Sequence, residues 1–494
     1  MRASRNTRVK RTSPATLWAR LNRHVVLDGR ASGEIVARFD HQSVGLGTFS
    51  AVVRDRARDL STGLPVASLA ANREDLDREV LLLVQRLARS GLLEYRLGRA
   101  DSREDDVIIE PQVPDYWPRL PDLGDGDTLV LSRFAYMRRR ANEMVLESPR
   151  AGALFRLGNP LIAATLAALS TPQPIERLLR QDGVPGVELL ALLVDCRILF
   201  KIELDGDSGL RPTEGDKDLV LWDFHDFLFH TRSTEGRHAN PLGGCYPYVG
   251  VMAPRPAVRP RWPGKTIDLR KFSDVPGEAI SPATQLLHDR RSTRSFDDRT
   301  PMTLAELARF LDRTARVQLT WRSRLDGDEH GGPMVGYTVR PYPSAGASYE
   351  LELYLAVNCC DGLARGYYHY DAGGHALTPL GVRPQELDAL LAAAAYAMGV
   401  PSAPQILITI AARFGRVSWK YSSVAYELIL KNVGVLTQTL YLVATEMGLG
   451  GCAIGSANID LFARMTGIEH HIEGAVGQFA MGRGLDQEEP SDSA

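Results

Sequence analysis

Apolar positions divide the 494-residue chain into blocks that follow the helical period, the strand period, or neither. From Glu74 onward, Leu76, Val80, Leu83, Val84 and Leu87 recur on one helical stripe, and a short apolar run, Leu92 to Leu97, follows. GVELLALLVDCRILFKIEL, starting at Gly186, repeats that passage from an apolar helix into a strand, here Ile198 to Leu204. Two shorter helical patterns, Leu161 to Leu169 and Ile175 to Leu179, precede the repeat. A helix feeding a short strand after an earlier helix is a winged-helix pattern, so the pattern predicts two such modules.

The C-terminal half alternates both periods. Thr303 and Glu306 form a capping box ahead of a helix whose predicted buried stripe is Leu304, Leu307, Ala308 and Leu311. Leu351, Leu353, Leu355 and Val357 alternate with Glu350, Glu352, Tyr354 and Ala356, which predicts a half-buried strand. A hairpin is predicted to turn at Asp371 to Gly374, and Ile406 to Ala411 reads as a buried strand. After Tyr421 comes a helix apolar nearly all round, including Leu428, Val433, Val435, Leu436, Leu440 and Leu442. Such a helix is expected to be enclosed on all sides, in a large core or across a subunit interface. Glu427, Lys431, Asn432, Gln438 and Glu446 within it argue for a core helix over a membrane span. The fold class predicted for this half is α+β.

Three proline-rich or polar stretches, Pro111 to Asp127, Asp205 to Asp218 and Pro254 to Gly264, mark boundaries. The expected domains are winged-helix-like modules at 1–110 and 127–205, an aromatic-rich connector at 219–264, and an α+β domain at 265–484. Composition adds exclusions. With 58 basic against 60 acidic side chains and a net charge of −2, bulk electrostatics predicts no nucleic-acid partner. The modules' helices carry mixed or few charges, so no DNA-recognition helix stands out; a peptide-pairing wing edge and a plain spacer are the other readings. Five cysteines without a C-x-x-C argue against a disulfide framework and a zinc site and fit a cytoplasmic protein. The basic start lacks an apolar h-region, so no signal peptide is read. His225, Asp226, His230 and His238 suggest a metal, but the two histidines five apart fall on different helix faces, and an aromatic docking segment is expected instead.

Four groups could carry chemistry. Arg290, Arg291, Ser292 and Arg294 bring three guanidiniums and a hydroxyl within five residues, a donor set suited to a phosphate. Pro343, Ser344, Ala345 and Gly346 are small enough to let a flat ring lie against the backbone. Lys420 and Tyr421 are an adjacent proton-handling pair. Gly448 serves as a helix cap, but Gly450, Gly451 and Gly455 exceed what a cap requires, and their N–H groups could meet a ligand's polar edge.

Together, R-R-S-x-R, P-S-A-G before a strand, W-K-Y, the long helix and G-L-G-x-C-x-I-G resemble the SagB/ThcOx-type dehydrogenases of the nitroreductase superfamily. These are FMN enzymes that oxidise thiazolines and oxazolines in ribosomally made peptides. The resemblance covers about Lys265 to Gly484. More weakly, the N-terminal half resembles the winged-helix modules of cyanobactin oxidases. The resemblance implies that Arg290, Ser292, Arg294 and Arg483, with Arg291 as a further candidate, hold the FMN phosphate and ribityl chain. It implies that Pro343 to Gly346 lie along the isoalloxazine and that the loop Gly450 to Ile454, with Gly451 and Ala453, reaches its polar edge. It also implies a homodimer with FMN between subunits, a precursor peptide carrying azolines as substrate, and a cyclodehydratase as partner; neither nucleic acid nor membrane is expected.

Aromatising an azoline removes a proton from the carbon bearing the peptide carbonyl and a hydride from the neighbouring ring carbon. Lys420 and Tyr421 are therefore the expected catalytic acid/base unit, and no metal is expected. No dinucleotide fingerprint is visible, which leaves oxygen as the expected electron acceptor. Two alternatives stay open: a flavin oxidoreductase of the same fold acting on a nitroaromatic, a quinone or another peptide-derived intermediate, and a flavin-free peptide-binding scaffold.

Overall fold

The computed structural model describes residues 15–39, 42–70, 75–99, 105–113, 116–181, 184–202, 217–234, 246, 248–273, 279–325 and 332–485. Glu74, residues 205–216, His238 and Cys245 lie outside them. The chain divides into two compact units, Met1–Ala239 and Asn240–Ala494.

In the N-terminal unit the predicted helices form at Asp75–Arg89, Pro160–Ala168, Ile175–Leu178 and Val187–Asp195, and the predicted strands at Leu93–Arg99 and Leu199–Lys201. Ala15–Leu21, whose side chains alternate between buried and half-buried, pairs along Leu93–Arg99. These strands belong to a seven-stranded antiparallel sheet. The sheet passes over the stretch Pro111 to Asp127, because Val107–Pro111 pairs with Ala153–Leu157 beyond it, and one hydrophobic core extends from Ala15 to Leu199. Aromatic residues of the 217–234 segment pack into this unit: Phe227 lies 5.0 Å from Phe134, Phe224 lies 5.7 Å from Tyr136, and His230 stacks on Trp222.

The elements of the C-terminal unit are, in order, α1 (Pro282–Asp289), α2 (Leu304–Thr314), β1 (Leu319–Arg324), β2 (Met334–Val339), β3 (Leu351–Val357), β4 (Gly366–Asp371), β5 (Ala376–Leu380), α3 (Pro384–Met398), β6 (Ile406–Arg413), α4 (Phe414–Ser418), α5 (Ala425–Glu446), β7 (Gly450–Ile454), α6 (Ile459–Thr466) and β8 (Glu473–Gly482). Six strands make one antiparallel sheet in the order β5-β4-β3-β6-β8-β7, and β1 and β2 form a separate hairpin. The mixed helix and strand content is that of the predicted α+β class.

Three details differ from the sequence pattern. β3 is covered on both faces, because α3 and α6 bring Leu387, Leu390, Leu391 and Phe462 against Tyr354 and Ala356. In α2 the capping box forms, but the buried stripe is Leu307, Phe310 and Leu311; Leu304 is exposed at the first turn, where its N–H donates to Asp361 C=O. The glycine segment after α5 is an edge strand, β7, paired with β8, and not a loop. Within the described residues α5 buries one side, through Ala425, Ile429, Asn432, Leu436, Leu440 and Ala444, while Val435, and Val424 just before the helix, are exposed. By length and composition alone α5 is apolar enough to cross a membrane; here it lies along β3, β7 and β8.

Candidate active site

The first group of candidates is assembled by α5 and the sheet edge. Tyr441, on α5, accepts the Ala453 N–H at 2.8 Å, and its hydroxyl lies 2.9 Å from Ser292 Oγ. The Arg290 guanidinium sits over the same ring, 5.2 Å from its centroid. The segment after α1 runs along β7 and β8: Thr293 N–H donates to Gly451 C=O, Asp297 N–H to Arg483 C=O, and Leu485 N–H to Ser295 C=O. Close packing accounts for two glycines here. A Cβ on Gly450 would lie 2.6 Å from Thr293 Cγ2, and one on Gly451 would overlap the Phe479 ring. Ile454 is buried in the core beneath the strand.

Arg291 and Arg294 are exposed, with no hydrogen bond or ion pair among the described residues. Arg483 is already engaged: its Nη2 lies 2.9 Å from both Glu306 oxygens, and its Nε donates to Thr300 C=O. Glu306 is at once the capping-box carboxylate of α2 and the partner of Arg483. Burial raises its pKa, but the Thr303 N–H and Arg483 outweigh that and hold it below the ordinary glutamate value.

The second group forms around the turn before β3. Gly346 has φ 56°, and Ala347 and Tyr349 also have positive φ, at 53° and 44°. Non-glycine residues in that region store strain that surrounding contacts must hold. Those contacts are visible. Asn432 of α5 accepts the Ala345 N–H at 3.1 Å through Oδ1, while its Nδ2 donates to Glu350 Oε1 at 2.8 Å and to Ser344 Oγ at 3.2 Å. Ser344 Oγ in turn accepts the Tyr349 N–H. Glu350 is fully buried, and burial pushes its carboxyl pKa up.

Lys420 and Tyr421 come down on this turn. Lys420 Nζ donates to Gly346 C=O at 3.3 Å and lies 5.3 Å from the Tyr421 ring centroid. A Cβ on Gly346 would overlap both Lys420 Nζ and the Tyr421 hydroxyl. Pro343 and Gly346 are exposed, as is Lys420. Arg416, four residues before Lys420, donates to Ser348 C=O at 2.9 Å.

The structure thus joins Pro343–Gly346 to Lys420 and Tyr421, and joins Ser292 and Arg290 to Gly450–Ile454. No hydrogen bond or ion pair links the two groups among the described residues. They meet α5 at Asn432 and Tyr441, nine residues apart, which is roughly 14 Å along the axis and about half a turn around it. Sequence reading missed Asn432, Glu350, Tyr441 and Arg416. The signal available was weak: a lone amide and a tyrosine in an otherwise apolar helix.

Comparisons with known proteins follow the division into two units. A nitroreductase family model matches residues 287–483, and a model described as cyanobactin oxidase ThcOx matches residues 129–239. A Methanocaldococcus jannaschii protein named as a nitroreductase is 33% identical over 172 residues, 35% of this chain and 77% of that protein. Among solved structures, a nitroreductase from Ralstonia eutropha is 21% identical with a TM-score of 0.31, covering 50% of this chain and 99% of that one. The E. coli microcin synthetase McbBCD complex with truncated pro-MccB17 bound is 19% identical with a TM-score of 0.31, covering 46% and 85%. On the family model and the M. jannaschii relative, the chain belongs to the nitroreductase family, its oxidoreductase domain preceded by a segment of cyanobactin oxidase type.

Proposed function

We propose that the protein is an FMN-dependent azoline dehydrogenase that converts thiazolines or oxazolines of a ribosomally made peptide to thiazoles or oxazoles. The observation that carries this reading is the meeting of Lys420 and Tyr421 over Gly346, because azoline oxidation needs a base where a flat ring would lie. The cyanobactin oxidase match over 129–239 supports it.

The donor set fits the cofactor. Arg291 and Arg294, two guanidiniums without a hydrogen bond or ion pair among the described residues, suit a phosphate, with Ser292 beside them. Arg290 is stacked on Tyr441, and Arg483 would have to share itself between a phosphate and Glu306. Pro343 to Gly346 offer an exposed small-residue surface for the ring system, and Gly450, Gly451, Ala453 and Ile454 line the strand next to the arginines. Because the two groups approach α5 from different sides, we read the cofactor as lying between the subunits of a homodimer, each contributing one group. Bound FMN supplies the hydride acceptor. Lys420 takes the proton from the carbon that bears the peptide carbonyl, and the Tyr421 hydroxyl orients the substrate toward it. A precursor peptide and the cyclodehydratase that makes its azolines are the partners this chemistry requires.

The test is incubation of FMN-reconstituted protein with an azoline peptide under air, followed by mass spectrometry for loss of two hydrogens per ring. Lys420→Ala is expected to keep FMN and lose oxidation by about 100-fold or more. Full activity in that variant would reject the assignment.

A further inference from the structure

The β1–β2 hairpin belongs neither to the six-stranded sheet nor to the two side-chain groups. All six residues of β1 are exposed. An isolated two-stranded hairpin is marginal in water, yet this one displays Leu319 and Trp321 at 59% and 41% exposure. Trp321 and Tyr337, directly opposite each other, stack with centroids 5.4 Å apart and planes at 18°, which makes one face an aromatic shelf.

Its main-chain pattern decides which edge is open. Leu325 N–H donates to Pro333 C=O. Antiparallel alternation then turns the polar groups of Leu319, Trp321 and Ser323 toward β2, and those of Thr320, Arg322 and Arg324 outward. On β2 the outward C=O of Gly336 is taken, because Arg416 Nη2 donates to it at 2.5 Å. The same guanidinium holds Ser348 C=O, so one side chain ties the hairpin to the turn that carries Gly346. Among the described residues no main-chain group pairs with the outward edge of β1, and of its outward carbonyls the Arg324 C=O accepts the Ser323 hydroxyl at 3.3 Å. Among the described residues Arg322 has no hydrogen bond or ion pair and the Arg324 guanidinium bonds the Gly332 C=O, so neither is paired there with a carboxylate.

We propose that the outward edge of β1 receives an extended segment of the peptide substrate, carrying acidic and apolar residues, as an additional strand beside the Gly346–Lys420 site. The inference rests on the peptide substrate proposed above and adds where its flanking residues are held. Main-chain bonds to an edge strand bind with little demand on sequence. Specificity then comes from the shelf, which takes an apolar side chain on the Trp321 face, and from Arg322 and Arg324, which take a carboxylate.

The experiment compares two substrates on the full FMN-loaded chain: an azoline peptide with acidic and apolar flanking residues, and a small azoline amide without flanks. Arg322→Pro removes an outward N–H and leaves the hairpin's own bonds in place; Trp321→Ala removes the shelf. Each is expected to lower the ratio of kcat/KM for peptide over small amide by about tenfold, mainly through KM. A ratio within about twofold of wild type in both variants overturns the inference. If wild type oxidises neither substrate, the proposed reaction fails, and docking is read separately by titrating the fluorescently labelled peptide. Weaker binding to Arg322→Pro by about tenfold supports the edge, and equal binding overturns it. A change of subunit number in either variant by light scattering also overturns it, because the hairpin would then be pairing with a second copy.

Discussion

Gly346 is fixed by its neighbours in two ways at once. Its φ of 56° costs any other residue about 1 kcal/mol or more, and a Cβ would enter the space where Lys420 Nζ and the Tyr421 hydroxyl sit. Gly346→Ala is therefore expected to destabilise the unit by about 1–3 kcal/mol in urea denaturation. It is also expected to displace Lys420, lowering azoline turnover by roughly tenfold or more, since small misplacements of a catalytic group are costly. Glu350 gives the second prediction at this scale. Its carboxyl is buried and its pKa is raised, so between the ordinary value of 4.5 and the raised folded value the folded state holds a proton that the unfolded state has released. Folded stability then falls as pH rises through that window. Glu350→Gln, which keeps an acceptor for Asn432, is expected to remove this dependence: urea midpoints of wild type and variant should move relative to each other as pH rises from about 4.5, in favour of the variant. Parallel midpoints across that range would show that Glu350 keeps the same charge in both states.

At the scale of elements, α5 and β7 act as one device. Tyr441 reaches from the helix to the Ala453 N–H and to Ser292, so a single phenol positions both the strand and the arginine segment. Tyr441→Phe should cost about 1–3 kcal/mol, because it strands a donor of β7. It should also weaken FMN binding, measured by quenching of flavin fluorescence; unaltered affinity would separate Ser292 from the phosphate. Elements with strong local signals were legible in the sequence: the Thr303–Glu306 capping box, the apolar run of β6 and the long α5. β7 was not, because its glycines serve an edge strand packed on Thr293 and Phe479, and its partner β8 lies far along the chain. The clamp of Asn432 on Glu350 was hidden for the same reason, since it joins residues 82 positions apart. The pairs that could be read were adjacent in sequence, such as Lys420 with Tyr421; the side chains that position them had to be seen in the fold.

For the whole molecule, the decisive surface is the side of α5 that this chain leaves open. Leu428, Val435 and Leu442 recur at seven-residue spacing and so share one side of the helix. Val435 is exposed, and Leu428 and Leu442 are only partly covered. On the proposed reading, this stripe meets its counterpart in a second copy, and the meeting brings the Lys420 turn of one subunit to the arginine segment of the other. A charge placed there tests assembly and cofactor retention together. Val435→Glu leaves the buried side, including Asn432 and Leu436, untouched, so the isolated fold should persist by circular dichroism. A buried like-charge pair across a twofold axis is costly, however, and the variant is expected to run as a monomer in light scattering. If FMN lies between subunits, the monomer should purify without it and recover little absorbance when FMN is added. A monomeric variant that still binds FMN at wild-type affinity would place the cofactor within one chain and overturn the shared site; a variant that stays dimeric would move the subunit contact away from α5.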